Sequence, residues 1–161
     1  MSIIKKNLTF IILFLLIFIT DRISKFWVIT KVKNTLDSTI VKTSYINIEL
    51  IWNEGVAFGL LSTTSPKIYN IISIIVLIVI MAVIYLIKKS KNIEKFFLIM
   101  VLAGAFGNFY DRIVYKSVPD FIDFHIKDFH WFIFNVADIF ITLGILLIIT
   151  REIISNKKKN D

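Results

Sequence analysis

Cysteine is absent from the sequence, so the chain has no disulfide, no thiolate nucleophile, no cysteine-based metal site and no cysteine-linked lipid of its own. Neither an H-E-x-x-H nor a G-x-S-x-G motif occurs, which argues against a zinc peptidase and a serine hydrolase. Acidic residues number 12 against 19 basic ones, giving a net charge of +7. In a soluble chain this charge would suggest nucleic acid. Here the basic residues mostly flank apolar runs, so we expect no nucleic-acid partner.

Long apolar runs dominate what is present. Apolar residues make up 57% of the chain, against roughly 45–50% in soluble domains. Four runs, approximately 8–28, 68–87, 96–112 and 131–150, approach the roughly 20 residues that cross a bilayer core about 30 Å thick. The sequence therefore predicts one integral membrane α-helical domain over residues 1–161, folded as a four-transmembrane-helix bundle.

The distribution of basic residues predicts the orientation of these runs. Basic clusters occur at the N-terminus, at 88–95 and in the C-terminal tail. An even number of spans places all three on one side, which the positive-inside rule identifies as the cytoplasm. Segments 30–65 and 113–130 then face outward. Alternation of apolar and polar residues over 45–50 predicts a small extracytoplasmic sheet. The first run lacks an A-x-A cleavage site and continues into charged residues, so we interpret it as a retained helix.

The fourth run contains a carboxylate, Asp138, and ionisable residues at membrane depth are functional candidates. Asn135 lies three residues earlier, on the same helix face. Two carboxylates held close share one proton, and such a pair activates water for peptide hydrolysis without a metal. The spacing does not choose between Asp120 and Asp123 as the partner. The alternative is a structural Asp138 paired with Arg112 or Lys25.

Other polar residues have less specific patterns. Asp21 and Lys25 are four residues apart and form a predicted supporting pair. Asp111 and Arg112 close the third run as an ion pair or membrane-edge anchor, or Arg112 contacts a lipid phosphate. Small residues over 103–107 allow close helix approach, and glycines 55 and 59 suit special backbone geometry. Residues 125, 128 and 130 (His, Asp, His) match no metal-ligand spacing, so we expect no metal and no cofactor.

Two other functional classes remain open from these patterns. A small four-helix transporter or channel subunit would use Asp138 as an ion or proton site. A structural subunit of a membrane complex would pair Asp138 with a partner's cation.

Five segments in order resemble motifs of the bacterial lipoprotein signal peptidases (signal peptidase II, aspartyl peptidase family A8). The family motifs are D-x-x-x-K, N-x-G-x-A-F/W-G, G-A/G-x-G-N-x-x-D-R, V-D-F-I-D and F-N-x-A-D, and the resemblance covers nearly the whole chain. In this sequence they are Asp21–Lys25, Asn53–Gly59, Gly104–Arg112, Pro119–Asp123 and Phe134–Asp138.

The resemblance implies a catalytic pair, Asp120 and Asp138. The implied substrate-binding or supporting residues are Asp21, Lys25, Asn53, Gly55, Asn108, Asp111, Arg112, Asp123 and Asn135. It implies prolipoprotein substrates cleaved before a diacylglyceryl-modified cysteine, and a monomer in contact with lipids of the bacterial inner membrane. It also implies an outer β-cradle from 30–65 and a short helix within 113–130. The chain departs from the family pattern at Arg22, Pro119 and Ile139, where Gln, Val and a small residue are common.

Overall fold

A computed structural model describes residues 3–35, 37–55 and 66–160. Four helices alternate with four strands along the chain. The helices are α1 (Ile3–Thr35), α2 (Pro66–Lys89), α3 (Asn92–Tyr115) and α4 (Val136–Asn160), and the strands are β1 (Thr39–Val41), β2 (Ile46–Asn53), β3 (Val118–Ile126) and β4 (Phe129–Phe134). The predicted class, an α-helical membrane fold with a small sheet, is confirmed. Residues 56–59 of the second motif, including Gly59, lie outside the described residues.

Three of the described helices are long and apolar enough to cross a membrane, over Asn7–Thr35, Tyr69–Lys89 and Ile93–Tyr115. Helix α4 is not among them. Its stretch between Asp138 and Arg151 is free of charge, but twelve residues give only about 18 Å of helix. The fourth span therefore stays a prediction.

The fourth helix begins later than the apolar run 131–150 predicted. Trp131 belongs to β4, and α4 starts at Val136. The apolar run thus joins a strand to a helix, and Asn135 separates the two. The third helix ends at Tyr115, not at Asp111–Arg112, and Lys116 follows it at φ 58° in the left-handed conformation that often terminates helices.

The sheet is antiparallel throughout, with strand order β1-β2-β3-β4. The expected strands of the first connection are present as β1 and β2, but two more strands come from the second connection. The expected short helix within 113–130 was therefore wrong: β3 and β4 form a hairpin there, with Lys127 at φ 55° in its turn. Strand β2 pairs with β3 so that Ile51 faces Asp120 and Asn47 faces Asp123.

The core is distributed along the bundle. Phe10, Val83 and Leu98 join α1, α2 and α3 at one end. Val28, Leu50 and Phe121 join α1 to the sheet at the other end. Between them, α3 approaches α4 closely at Gly104, where a Cβ atom would lie 2.5 Å from the carbonyl oxygen of Ala137. The small residues of α3 thus bring the first turn of α4 against its middle.

Candidate active site

Two carboxylates from different elements line one cavity. Asp120 comes from β3 and Asp138 from the first turn of α4, and both face a cavity of about 450 Å³ between α2, α3 and α4. The rest of the cavity wall is mostly apolar, with Val76 and Ile141 among its residues. The wall therefore changes from polar at the end that carries the carboxylates to apolar along the helices.

The Asp120 carboxylate is buried and receives one amide hydrogen bond on each oxygen. Asn135 Nδ2 donates to Oδ1 at 2.6 Å, and Asn53 Nδ2 donates to Oδ2 at 2.8 Å. Burial raises the pKa of Asp120 to about 6, the negative charge of Asp138 adds to the rise, and the two amides oppose it. A carboxyl group whose pKa is raised toward neutrality can both hold and release a proton there, which suits general acid–base chemistry.

Asp138 occupies the third position of α4, where Asn135 is the N-cap. The Asp138 backbone N–H donates to Asn135 Oδ1 at 3.2 Å, and the Asn135 backbone N–H donates to Asp138 Oδ2 at 3.1 Å. This reciprocal pair is a capping box built from Asn and Asp. Asn108 Nδ2 donates to the other oxygen at 2.8 Å. The carboxylate orientation is thus set by the start of its own helix and by α3.

The three asparagines present their NH₂ groups to the carboxylates because their oxygens are already engaged. Asn53 Oδ1 accepts from the Gly55 backbone N–H at 2.9 Å, and Asn135 Oδ1 accepts from α4. Asn108 Oδ1 accepts from Lys25 Nζ at 2.8 Å. Since an amide has one oxygen and one NH₂ group, these contacts decide which end faces Asp120 or Asp138.

Behind Asn108 lies a buried charge cluster between α1 and α3. Lys25 Nζ contacts Asp111 Oδ2 at 2.7 Å and Asp21 Oδ1 at 3.0 Å, in addition to Asn108. Asp21 and Asp111 have no exposed surface, and Lys25 is 2% exposed. The Ala137 backbone N–H donates to Asp21 Oδ1 at 3.0 Å. The predicted Asp21–Lys25 pair is present, and it also caps the helix that carries Asp138.

Asp111 and Arg112 do not form the expected pair with each other. Asp111 contacts α1, whereas buried Arg112 donates to the backbone oxygens of Gly55 at 2.9 Å and Asn108 at 3.2 Å. Tyr69 of α2 donates its hydroxyl to the Arg112 carbonyl at 2.8 Å. Arg112 therefore links α3 to the segment after β2 and lines the cavity. The alternative of a direct Asp138 pair with Arg112 or Lys25 is replaced by the indirect route through Asn108.

Asp123 lies away from this cavity. Asn47 Nδ2 donates to its Oδ2 at 3.0 Å, and His130 Nδ1 lies 2.8 Å from the same atom. Asp120 and Asp123 are three apart in one strand, and side chains at odd separations point to opposite faces. Of the two candidate partners, Asp120 lines the cavity together with Asp138, and Asp123 is not among the lining residues. Asp123 instead joins β2, β3 and β4.

The two histidines of the β3–β4 hairpin pack against each other within the sheet. His125 stacks on His130 with ring centroids 4.9 Å apart. Within the described ranges, no group of three or more His, Cys, Asp or Glu side chains is arranged to hold a metal ion.

Two of the three departures from the family pattern, Pro119 and Ile139, are not among the residues that line the cavity. Ile139 is 36% exposed and does not line the cavity. Pro119 lies in β3 opposite Trp52. Arg22, which sequence reasoning left outside the site, joins the charge cluster by contacting Asp21 and Asp111. A sequence signal for this role was available, because Arg22 is a charged residue next to Asp21 in a helix that is mostly apolar. Tyr69 gave no signal, because its role depends on tertiary contact with α3.

Comparison with solved structures identifies the class: the chain has the fold of bacterial membrane enzymes. It matches one such enzyme, solved in meso at 2.3 Å, with a TM-score of 0.78 and 30% identity over 94% of this chain and 91% of that one. A second, solved in meso at 1.9 Å, gives a TM-score of 0.70 at 30% identity, covering 89% and 91% of the two chains.

Sequence comparison identifies the family. The model described as signal peptidase (SPase) II matches residues 13–154. A lipoprotein signal peptidase of Pelagibacter ubique is 46% identical over 94% of this chain and 91% of its own length. One of Francisella tularensis subsp. novicida is 38% identical over 98% and 99%.

The chain belongs to the signal peptidase II family and is an aspartic peptidase that acts on lipoprotein precursors. The family assignment confirms the peptidase interpretation and removes the transporter and structural-subunit alternatives.

Proposed function

We propose that the chain removes signal peptides from diacylglyceryl-modified prolipoproteins by cleaving the bond before the lipidated cysteine, with Asp120 and Asp138 as its catalytic dyad. The observation that carries the proposal is the convergence of these two carboxylates on one cavity, each held by amide donors of fixed orientation.

The chemistry follows from one proton shared by two close carboxylates. The ionised member takes a proton from water as the water oxygen attacks the scissile carbonyl carbon. The protonated member donates its proton to the carbonyl oxygen, which gives a neutral tetrahedral diol. Breakage of the C–N bond, with protonation of the departing amine, then releases the two products. Every step is a proton transfer that positioned carboxyl groups can perform.

The shape of the cavity supports an apolar substrate already resident in the bilayer. The apolar part is lined by Ile75 and Val79 of α2, Val101 of α3 and Ile145 of α4. An apolar signal peptide or acyl chain bound in this part would gain roughly 25 cal/mol of binding free energy for each Å² of apolar surface removed from water. Asn53 and Arg112 stand at the polar end beside the dyad, where they are placed to contact the peptide backbone.

The proposed orientation places the sheet and the dyad at the outer leaflet of the inner membrane, with both termini in the cytoplasm. The basic clusters around 88–95 and after Arg151 support this arrangement. We propose that the chain works as a monomer in contact with membrane lipids, because α2, α3 and α4 together with strands β2 and β3 of one chain line the cavity that holds both carboxylates.

The test is a cleavage assay with purified protein and a prolipoprotein, offered with and without the diacylglyceryl modification. Wild type is expected to cleave the lipidated form only. Asp120→Asn and Asp138→Asn should each lower the rate at least about 10³-fold, since each removes a proton-transfer group. Asp123→Asn is the matched control, because it changes the same charge in the same strand on the other face of the sheet.

Measurable cleavage by Asp123→Asn is expected, at a rate reduced only by loss of its contacts within the sheet. Wild-type rates in either purified dyad variant would refute the dyad. Equal cleavage of modified and unmodified precursors would refute the lipid requirement while leaving the peptidase assignment intact.

A further inference from the structure

Arg22 joins the two buried acids of the charge cluster. Its guanidinium contacts both oxygens of Asp111, through Nη1 to Oδ1 and through Nη2 to Oδ2 at 2.8 Å. On the other side Nη2 and Nε contact Asp21 Oδ2, with Nε at 3.2 Å. Nη2 also lies 3.2 Å from the Gly107 carbonyl oxygen. A planar fork of donors matches two carboxylates in a way that a single ammonium group does not.

Aromatic rings hold this guanidinium in place. Its central carbon lies 5.6 Å from the ring centroid of Phe18 and 5.0 Å from that of Tyr110. Cation–π contacts of this kind are worth about 0.5–1 kcal/mol at exposed sites and more where water is excluded. Only 19% of the Arg22 side chain is exposed. The orientation of the fork is therefore fixed from α1 and from α3.

The Asp21 carboxylate connects the Arg22 guanidinium to α4. Its Oδ2 faces Arg22, while its Oδ1 faces Lys25 and the Ala137 backbone N–H. Gly107 permits the arrangement, because a Cβ atom there would lie 2.7 Å from Asp21 Oδ2. Ala137 directly precedes Asp138, so the two oxygens of Asp21 connect the Arg22 guanidinium to the turn that carries Asp138.

Charge balance gives Arg22 a second effect on the same turn. Asp21 and Asp111 contribute two buried negative charges, and Lys25 and Arg22 contribute two positive ones. Without Arg22 the cluster keeps one unbalanced negative charge, which is costly when buried. A negative charge beside the dyad also disfavours its ionised form.

We propose that Arg22 is a positioning residue for the reaction, acting on Asp138 through Asp21 and the first turn of α4. The inference rests on the proposed function of the dyad. The charged and titratable side chains packed around the dyad, apart from Arg22, are Asp21 and Lys25 on α1, Asp111 and Arg112 on α3, and Tyr69 on α2. All five are retained in the variants below.

The test compares Arg22→Gln and Arg22→Lys in full-length protein with the lipidated precursor, measuring kcat and KM from pH 5 to 9. Arg22→Gln is expected to lower kcat about tenfold and change KM less than about twofold, because the lost contact orients a reacting group and does not bind substrate. The pH–rate profile should move upward by about half a unit or more. Arg22→Lys keeps the charge and loses the fork, so it should restore the position of the pH profile with only part of kcat.

Arg151→Gln is the matched control, since it removes an arginine from an exposed pair with Glu94 at the far end of α4. It should behave as wild type. The inference fails if Arg22→Gln keeps the wild-type kcat. It also fails if kcat falls with an unmoved pH profile, because loss of folded enzyme scales the rate equally at every pH. Failure of the proposed function is separate: there wild type itself fails to cleave, or Asp138→Asn remains active.

Discussion

Asp120 couples the stability of the protein to pH through its raised pKa. The folded-state value is about 6, against about 3.9 for an unfolded aspartate. The folded chain therefore holds this proton more tightly. The resulting stabilisation is fully present below about pH 4 and is lost as the pH rises through about 6. A shift of this size corresponds to roughly 3 kcal/mol at most.

Replacement of Asp120 by Asn removes that dependence. The unfolding temperature of Asp120→Asn, relative to wild type, should rise between pH 4.5 and pH 8 by an amount equivalent to about 2 kcal/mol. Tryptophan fluorescence during thermal unfolding in detergent measures it. Asp128→Asn, which makes the same change in the exposed turn of the β3–β4 hairpin, is the matched control. A pH-independent difference between Asp120→Asn and wild type would contradict the raised pKa of Asp120.

For individual residues, the sequence predicted which charged side chains lie inside the bundle, but not which of them pair with each other. Asp111 was assigned to its neighbour Arg112 because adjacency is all that a sequence shows. In the structure α1 supplies the partners of Asp111, and Arg112 turns to backbone oxygens instead. Long-range pairing depends on the helix rotations that tertiary packing selects.

At the level of secondary structure, the Asn135 side chain has two separate roles at the start of α4. Its Oδ1 caps the helix, whereas its Nδ2 donates to Asp120. Serine at this position keeps a cap acceptor and loses the amide donor. Asn135→Ser should therefore be more stable than Asn135→Ala by about 1 kcal/mol, while both variants lose at least about tenfold in kcat.

Denaturation midpoints and cleavage rates of the two variants separate these contributions. Equal stability of Asn135→Ser and Asn135→Ala would show that the cap adds nothing to the fold. Full activity in Asn135→Ser would show that Asp120 does not need the amide.

The same cap explains why the strand before α4 was missed. Trp131 to Phe134 are apolar, as are most residues after Asp138, so hydropathy merges strand and helix into one run. Asn135 followed three residues later by Asp138 was the sequence signal for a helix start. The three preceding helices were predicted well because charged or polar residues bracket their apolar runs.

For the whole molecule, the orientation in the membrane is testable because the chain lacks cysteine. Single cysteines introduced by Lys91→Cys and Asp128→Cys lie in exposed turns at opposite ends of the bundle. A membrane-impermeant maleimide applied to intact spheroplasts should label the cysteine at 128 and spare the one at 91 until the membrane is opened. Cysteine-free wild type is the background control, and the reverse labelling order would invert the proposed topology.

The charge cluster between α1 and α3 also has a consequence for the order of biosynthesis. Asp21, Arg22 and Lys25 leave the ribosome together and carry one net positive charge, whereas their counter-ion Asp111 follows 90 residues later. At about 5–20 residues per second, α1 waits roughly 5–20 s for neutralisation. During that interval the nascent first helix holds an uncompensated positive charge at the position of the charge cluster. Stable insertion of α1 in the bilayer therefore depends on the synthesis of α3 and its packing against α1.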